Sequence, residues 1–120
     1  MKVDVMTGGR PLRSMQEFAR ATKAAGFSGL VLTETGRTAY LACAASALVE
    51  PELELSTGVA VAFPRSPMIT ASTAWEIAEA CGGRFRLGLG TQVRAHIERR
   101  FGTAFDPPGP RLEEYVQAVR

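Results

Sequence analysis

Cysteine is almost absent from this chain of 120 residues: there are two, Cys43 and Cys81. Both fall in helical patterns, at neither metal-ligand nor redox-motif spacing, so they read as reduced packing residues of a cytoplasmic protein. Histidine is scarcer still. With His96 alone, a multi-histidine metal site is excluded and no metal is expected. No apolar run approaches the ~20 residues of a membrane span, and the opening MKVDVM passes straight into a strand pattern rather than a signal peptide. Neither sign of charge prevails: 14 lysines and arginines against 12 acidic residues leave +2, which calls for neither nucleic acid nor a membrane as partner. Internal repeats and low-complexity tracts are missing too. What remains is 46% hydrophobic and 22% charged, the make-up of an ordinary globular domain, and the length suffices for one.

The patterning that is present centres on residues 53–92. Leu53 to Thr57 alternates and Gly58 to Ala62 runs on apolar, as a buried strand does. Ser66-Pro67 then starts a helix, the serine capping and the proline at the first position. Met68, Ala71, Trp75 and Ala78 form its expected inner stripe, and Gly82-Gly83 stops it. Phe85 to Leu89 gives another strand. Strands joined by a crossover helix are most simply parallel. Upstream, Lys2 to Met6 is a first strand and Leu30 to Thr33 a second. Between them a capping box, Ser14-Met15-Gln16-Glu17, opens a helix with Met15, Phe18, Ala19 and Thr22 inward. An alanine-rich helix follows over residues 38–49, closed by Glu50-Pro51. Downstream, Val93 to Phe101 predicts a short helix, Phe105 to Pro110 a rigid linker, and Arg111 to Val119 a last helix around Leu112, Tyr115, Val116 and Val119. Strands alternating with helices mark an α/β protein with a parallel sheet. Ligand sites of such sheets lie just past the strand C-termini, here near residues 58–66 and 90–92.

Glu34 ends the second strand, where a carboxylate accepts hydrogen bonds from a ligand, acts as a general base, or merely caps the next helix. Gly58, inside a strand pattern, marks a bulge or close backbone approach against which a flat ring can lie; a strand that tolerates glycine is the plain alternative. Gly88-Leu89-Gly90-Thr91-Gln92 is no dinucleotide fingerprint, since the third glycine would fall at Val93 and the motif belongs after the first strand. Its glycines and Thr91 suit a thin wall facing a ligand. Arg94 to Arg100 sets His96 among arginines, in keeping either with an anionic ligand tail or with a solvated helix face. Trp75 is expected in the core. No serine has the glycine-flanked elbow of a nucleophile.

TGVAVAFPRSPM, followed by GRFRLGLGTQVRAHIERRFG and preceded by AGFSGLVLTE over residues 25–34, resembles the bacterial luciferase-like monooxygenase superfamily. Within it, the likeness is to oxidoreductases that use the deazaflavin coenzyme F420, and it spans essentially the whole chain. The resemblance implies a (β/α)8 TIM-barrel family, of which residues 1–120 would be the N-terminal half: a (β/α)4 half-barrel with four parallel strands. It implies a non-prolyl cis peptide in a bulge of strand three, at Gly58-Val59, supporting the cofactor ring from behind. Glu34 would lie beside the ring, and Ala60, Thr91, Gln92 and His96 would continue the cofactor wall. Some deazaflavin-dependent relatives place a histidine directly after the acidic residue for proton transfer; this chain has Thr35.

The implied cofactor is F420, with FMN the alternative. The implied reaction is hydride transfer to or from a small organic substrate, with Glu34 catalytic; FMN-dependent oxygen activation is the rival within the family. From a different class comes a truncated or split half-barrel that needs a partner. Four strands leave an apolar inner face and two open sheet edges, which favours a homodimer or association through those edges. A doubly wound nucleotide-binding domain is the weaker reading, because residues 7–11 lack the spacing of a phosphate loop.

Overall fold

In the computed structural model, which describes residues 1–120, the chain runs β1 (Asp4–Gly8), α1 (Leu12–Ala24), β2 (Gly29–Thr33), α2 (Ala39–Val49), β3 (Glu54–Thr57), β4 (Ala60–Val61), α3 (Pro67–Ala80), β5 (Phe85–Arg86), β6 (Leu89–Gly90), α4 (Arg94–Arg99) and α5 (Pro108–Val119). All pairings are parallel. One sheet has the order β1-β2-β3-β5, and β4 pairs with β6 as a second ribbon. The βα alternation of the expected half-barrel is therefore present. Its third and fourth strands, however, are each broken in two, at residues 58–59 and 87–88.

Strand alternation decides what faces the helices. Leu30 and Leu32 of β2, with Leu53 and Leu55 at β3, are fully buried against Met15 and Ala19 of α1. Burying a leucine side chain contributes about 1.5–3 kcal/mol. Alanines let α2 lie close to the sheet: Ala39, Ala42, Ala45 and Ala47 all join this cluster, as do Cys43 and Cys81. Both cysteines are free, and burial, then the nearby Cys81, pushes the Cys43 thiol up to about 12. A second cluster forms past the strand break, where Val61, Ala62 and Phe63 pack on Ile97 of α4 and Tyr115 of α5. Tyr115 and Thr70 of α3 bring their hydroxyls to 2.5 Å, which fastens α5 to α3.

Three details differ from the sequence pattern. Helix α1 starts at Leu12, with Pro11 before it and no side-chain cap, so Ser14 is already inside the first turn and the capping box does not form. Ser66 does cap α3, accepting from the Ile69 amide at 3.3 Å, yet the buried residues of that helix are Thr70 and Ile77. Met68 and Trp75 are 75% and 65% exposed. Apolar residues almost encircle α3, so periodicity alone could not choose its inner face. Helix α5 starts at Pro108, because a proline at the first helical position forfeits no hydrogen bond. The stretch before it is no free linker: Phe105 meets Phe63 edge to face, ring centroids 6.2 Å apart. No helix is long and apolar enough to cross a membrane.

Candidate functional site

The break in strand three is built by close contact between backbones. With Leu30 and Leu32 turned to the helices, Val31 faces the open side of the sheet; with Leu89 packed on both clusters, Gly88 and Gly90 face that side too. The Gly58–Val59 peptide is cis. Pairing resumes beyond it, the Ala60 amide donating to the Gly88 carbonyl at 2.8 Å and the Ala62 amide to Gly90 at 3.0 Å. Across the gap the Thr57 hydroxyl takes over from the backbone: it donates to the Gly88 carbonyl (2.7 Å) and accepts from the Gly88 amide (2.9 Å). A Cβ on Gly88 would lie 2.2 Å from the Thr57 carbonyl oxygen, and one on Gly90 would lie 2.6 Å from Val59 Cγ2. Strand contact alone thus accounts for glycine at both positions. Their consequence is a shelf. Val59, 45% exposed, leans over bare glycine backbone on the open face of the sheet.

Beside this shelf, at the end of β2, Glu34 is held on both oxygens. Oε1 accepts from Arg65 Nη2 at 2.5 Å, while Oε2 accepts from Arg65 Nη1 at 3.3 Å and from the Val61 amide at 3.1 Å. The same guanidinium donates to the Val61 carbonyl (3.0 Å) and to the Thr38 hydroxyl (3.2 Å). It also lies over the Tyr40 ring, 4.8 Å from the centroid. The Glu34 side chain is only 5% exposed and that of Arg65 22%. Burial pushes the Tyr40 phenol up to about 12, opposed by the Thr70 hydroxyl and the Arg65 charge. Glu34 therefore stands as half of a buried ion pair rather than as a free base.

The remaining expected residues divide. Ala60 is fully buried in the main core, so its side chain cannot line the open face. Thr91 and Gln92 follow β6 directly: Gln92 takes a left-handed φ of 59° and accepts from the Val93 amide through its side chain at 3.0 Å, while the Thr91 hydroxyl donates to the Gln92 carbonyl at 3.0 Å. A left-handed side-chain-bearing residue is uncommon and worth noting beside a candidate site. His96 sits exposed on α4. Of its arginine neighbours, Arg94 is engaged by Glu98 at 3.0 Å and by Asp106, and Arg100 donates to the Thr35 carbonyl. The basic turn thus reaches the end of β2 through Arg100, with Arg94 committed elsewhere. Gly8 lies near the hydroxyls of Thr33 and Thr35, 3.7 and 3.6 Å from where its Cβ would be.

An exposed apolar shelf at the strand ends suits the face of a flat heteroaromatic ring. No group of three or more His, Cys, Asp or Glu side chains could hold a metal. A cleft of about 460 Å³ lined by Phe63, Arg65, Arg111 and Tyr115 is separate from the shelf.

The sequence profile of luciferase-like monooxygenases matches residues 1–120. The chain belongs to the luciferase-like monooxygenase family. An uncharacterised protein of Mycobacterium tuberculosis is 41% identical to it over 110 residues, 87% of this chain and 32% of that protein. Two solved luciferase-like structures share the fold. The coenzyme F420-dependent tetrahydromethanopterin reductase of Methanopyrus kandleri superposes with a TM-score of 0.74 at 18% identity, over 87% of this chain and 30% of the other. The oxygenating constituent of 3,6-diketocamphane monooxygenase from Pseudomonas putida, solved with FMN, gives 0.74 at 16% identity, over 99% and 37%. This luciferase-like chain spans about a third of the length of the curated relatives it matches.

Sequence reasoning singled out neither Arg65 nor Thr38; Thr57 belongs to the strand-three candidate segment, Thr57-Gly58-Val59. It is the pairing of β2 with β3 that brings the turn holding Arg65 beside Glu34, and that pairing leaves no local mark in the sequence.

Proposed function

We propose that the strand-end site serves an F420-dependent oxidoreductase reaction, a hydride passing to or from a small organic substrate. The observation that carries this reading is the Val59 shelf, an apolar surface at the strand ends with Glu34 neutralised beside it by Arg65. When bound, the deazaflavin supplies the hydride chemistry; the protein supplies position and electrostatics. Val59 would support the ring, with Thr33, Thr35 and Gln92 offering hydrogen bonds at its margin. Glu34 is assigned a positioning role in place of the general-base role, since both its oxygens are occupied. The F420 dependence of the Methanopyrus reductase supports this cofactor. FMN-dependent oxygenation is the second reading, supported by the FMN complex of the Pseudomonas enzyme.

Thermal unfolding of the chain with saturating F420 or FMN tests both. A ligand binding only the native state at a hundred times its Kd adds about 2.7 kcal/mol. A shift with F420 is expected; a shift with FMN alone would replace the cofactor, and no shift with either would sink the site. The free edges of β1 and of β5 and β6 are the proposed contact for a second copy, which sedimentation velocity would register as a dimer. The free, buried thiols fit a cytoplasmic setting.

A further inference from the structure

Every polar partner of the Arg65 side chain lies at one end of the sheet. Glu34 follows β2, Thr38 directly precedes α2, Val61 belongs to β4, and the Tyr40 ring under the guanidinium is in the first turn of α2. Arg65 itself lies two residues before α3. One side chain therefore ties together four elements that converge on the strand ends. Its reach to the shelf is short: Glu34 Oε2, fixed by Arg65, accepts from the Val61 amide, two residues beyond Val59. We propose that Arg65 is the positioning residue of this site, holding Glu34 as the acceptor that sets β4 and, through β4, the place of Val59. The proposal rests on the reading that the shelf holds the cofactor ring, and extends it to a residue that need not touch the ring.

Chemistry explains why arginine stands here. A lysine is a point charge and cannot face two carboxylate oxygens, a carbonyl and a hydroxyl while stacking on an aromatic ring. Arg65→Lys keeps the charge and loses the fork, whereas Arg65→Met keeps the apolar stem and loses the charge. Glu34→Gln retains an acceptor for the Val61 amide without the ion pair.

The test is native-state amide exchange in the full chain, comparing the Val61 amide with that of Leu55. Leu55 is in the same bulged strand but bonds to the Arg84 carbonyl at 2.8 Å, away from the clamp. In Arg65→Met, exchange at Val61 is expected to accelerate at least tenfold more than at Leu55, with Arg65→Lys restoring part of the protection. Cofactor affinity, read from quenching of F420 or FMN fluorescence, should weaken at least tenfold in Arg65→Met and less in Glu34→Gln. Equal acceleration at both amides would mean that Arg65 only stabilises the fold, and would overturn the proposal. If Arg65→Met does not fold, Arg65→Lys carries the same comparison. Should the unmutated chain bind neither cofactor, the functional reading fails by itself, and the Val61-to-Leu55 ratio still decides whether Arg65 sets the local geometry.

Discussion

Both ends of the sheet carry ion pairs, but the two are built differently. At the N-terminal end, parallel register sets Asp4, Gly29 and Glu54 side by side. Glu54 bonds Lys2 and, at 3.1 Å, Arg86, which also approaches Asp4 at 3.5 Å. The cations there are mostly in water, with 73% of the Lys2 side chain and 65% of the Arg86 side chain exposed, and Asp4 keeps one buried oxygen without a partner. At the C-terminal end the Glu34 side chain is withdrawn from solvent, that of Arg65 is 22% exposed, and each oxygen of the carboxylate is met. Wet pairs are screened and mobile, so they contribute little geometry; dry, fully bonded pairs fix the backbone around them.

The sharpest way to break this contrast is to remove half of the dry pair. Arg65→Met leaves Glu34 buried and unpaired, which should lower stability by about 3–5 kcal/mol, as for other severed buried pairs. The double change Glu34→Gln with Arg65→Met removes both charges, keeps an acceptor for the Val61 amide, and is expected to be far less damaging, because no unpaired buried charge remains. Urea midpoints of the single and double variants decide. A single variant as stable as the double would show that water reaches the pair, and the contrast between the two ends would fall.

Next in size is the stitch across the bulge. Thr57→Val preserves shape but strips the hydroxyl that meets Gly88: the Gly88 amide loses its acceptor, while the Gly88 carbonyl keeps the Ala60 amide as its donor. A loss of about 1–3 kcal/mol is expected by the same unfolding assay. If Thr57→Val were neutral, β4 would be held by its pairing with β6 and by Glu34, without help from the Thr57 hydroxyl.

What the chain discloses before folding follows the same division. Leu30 and Leu32, Leu53 and Leu55, and the Ser66-Pro67 start are legible, because alternation and capping are local and their physics repeats along any chain. The βα order and parallel sheet follow from them. Trp75 was misplaced because burial depends on which neighbours arrive, and the sequence of α3 offers apolar residues on nearly every side. At the site, position alone marks Glu34, Gly58 and Val59. The partner Arg65 lies 31 residues from Glu34, and no local rule links a glutamate after one strand to an arginine after the next. Likewise the glycine pair Gly88 and Gly90 looks like a ligand loop until Thr57 and Val59 are seen to occupy the space their side chains would need.

The smallest effect is expected at the wet end, and its sign with pH separates it from the rest. A hydrogen bond from Lys2, then the charges of Lys2 and Arg86, hold the Glu54 carboxyl below the usual carboxylate range. A lowered native value means that the unfolded chain takes up its proton first as the solution is acidified. Whatever stability Glu54 contributes is thus present near neutrality, fades as pH drops below the ordinary glutamate value, and is gone once pH passes through the lowered one. Glu54→Gln should therefore move the urea midpoint at pH 7 less than Thr57→Val does, and the difference from the unmutated chain should vanish in acid. Raising salt to 1 M shortens the Debye length from roughly 10 Å at 0.1 M to about 3 Å, and should erase most of the effect at neutral pH as well. A loss at Glu54 that matched the Arg65 variant and ignored salt would mean that the Lys2–Glu54–Arg86 group is as dry as the clamp, and the two ends of the sheet would then differ in composition only.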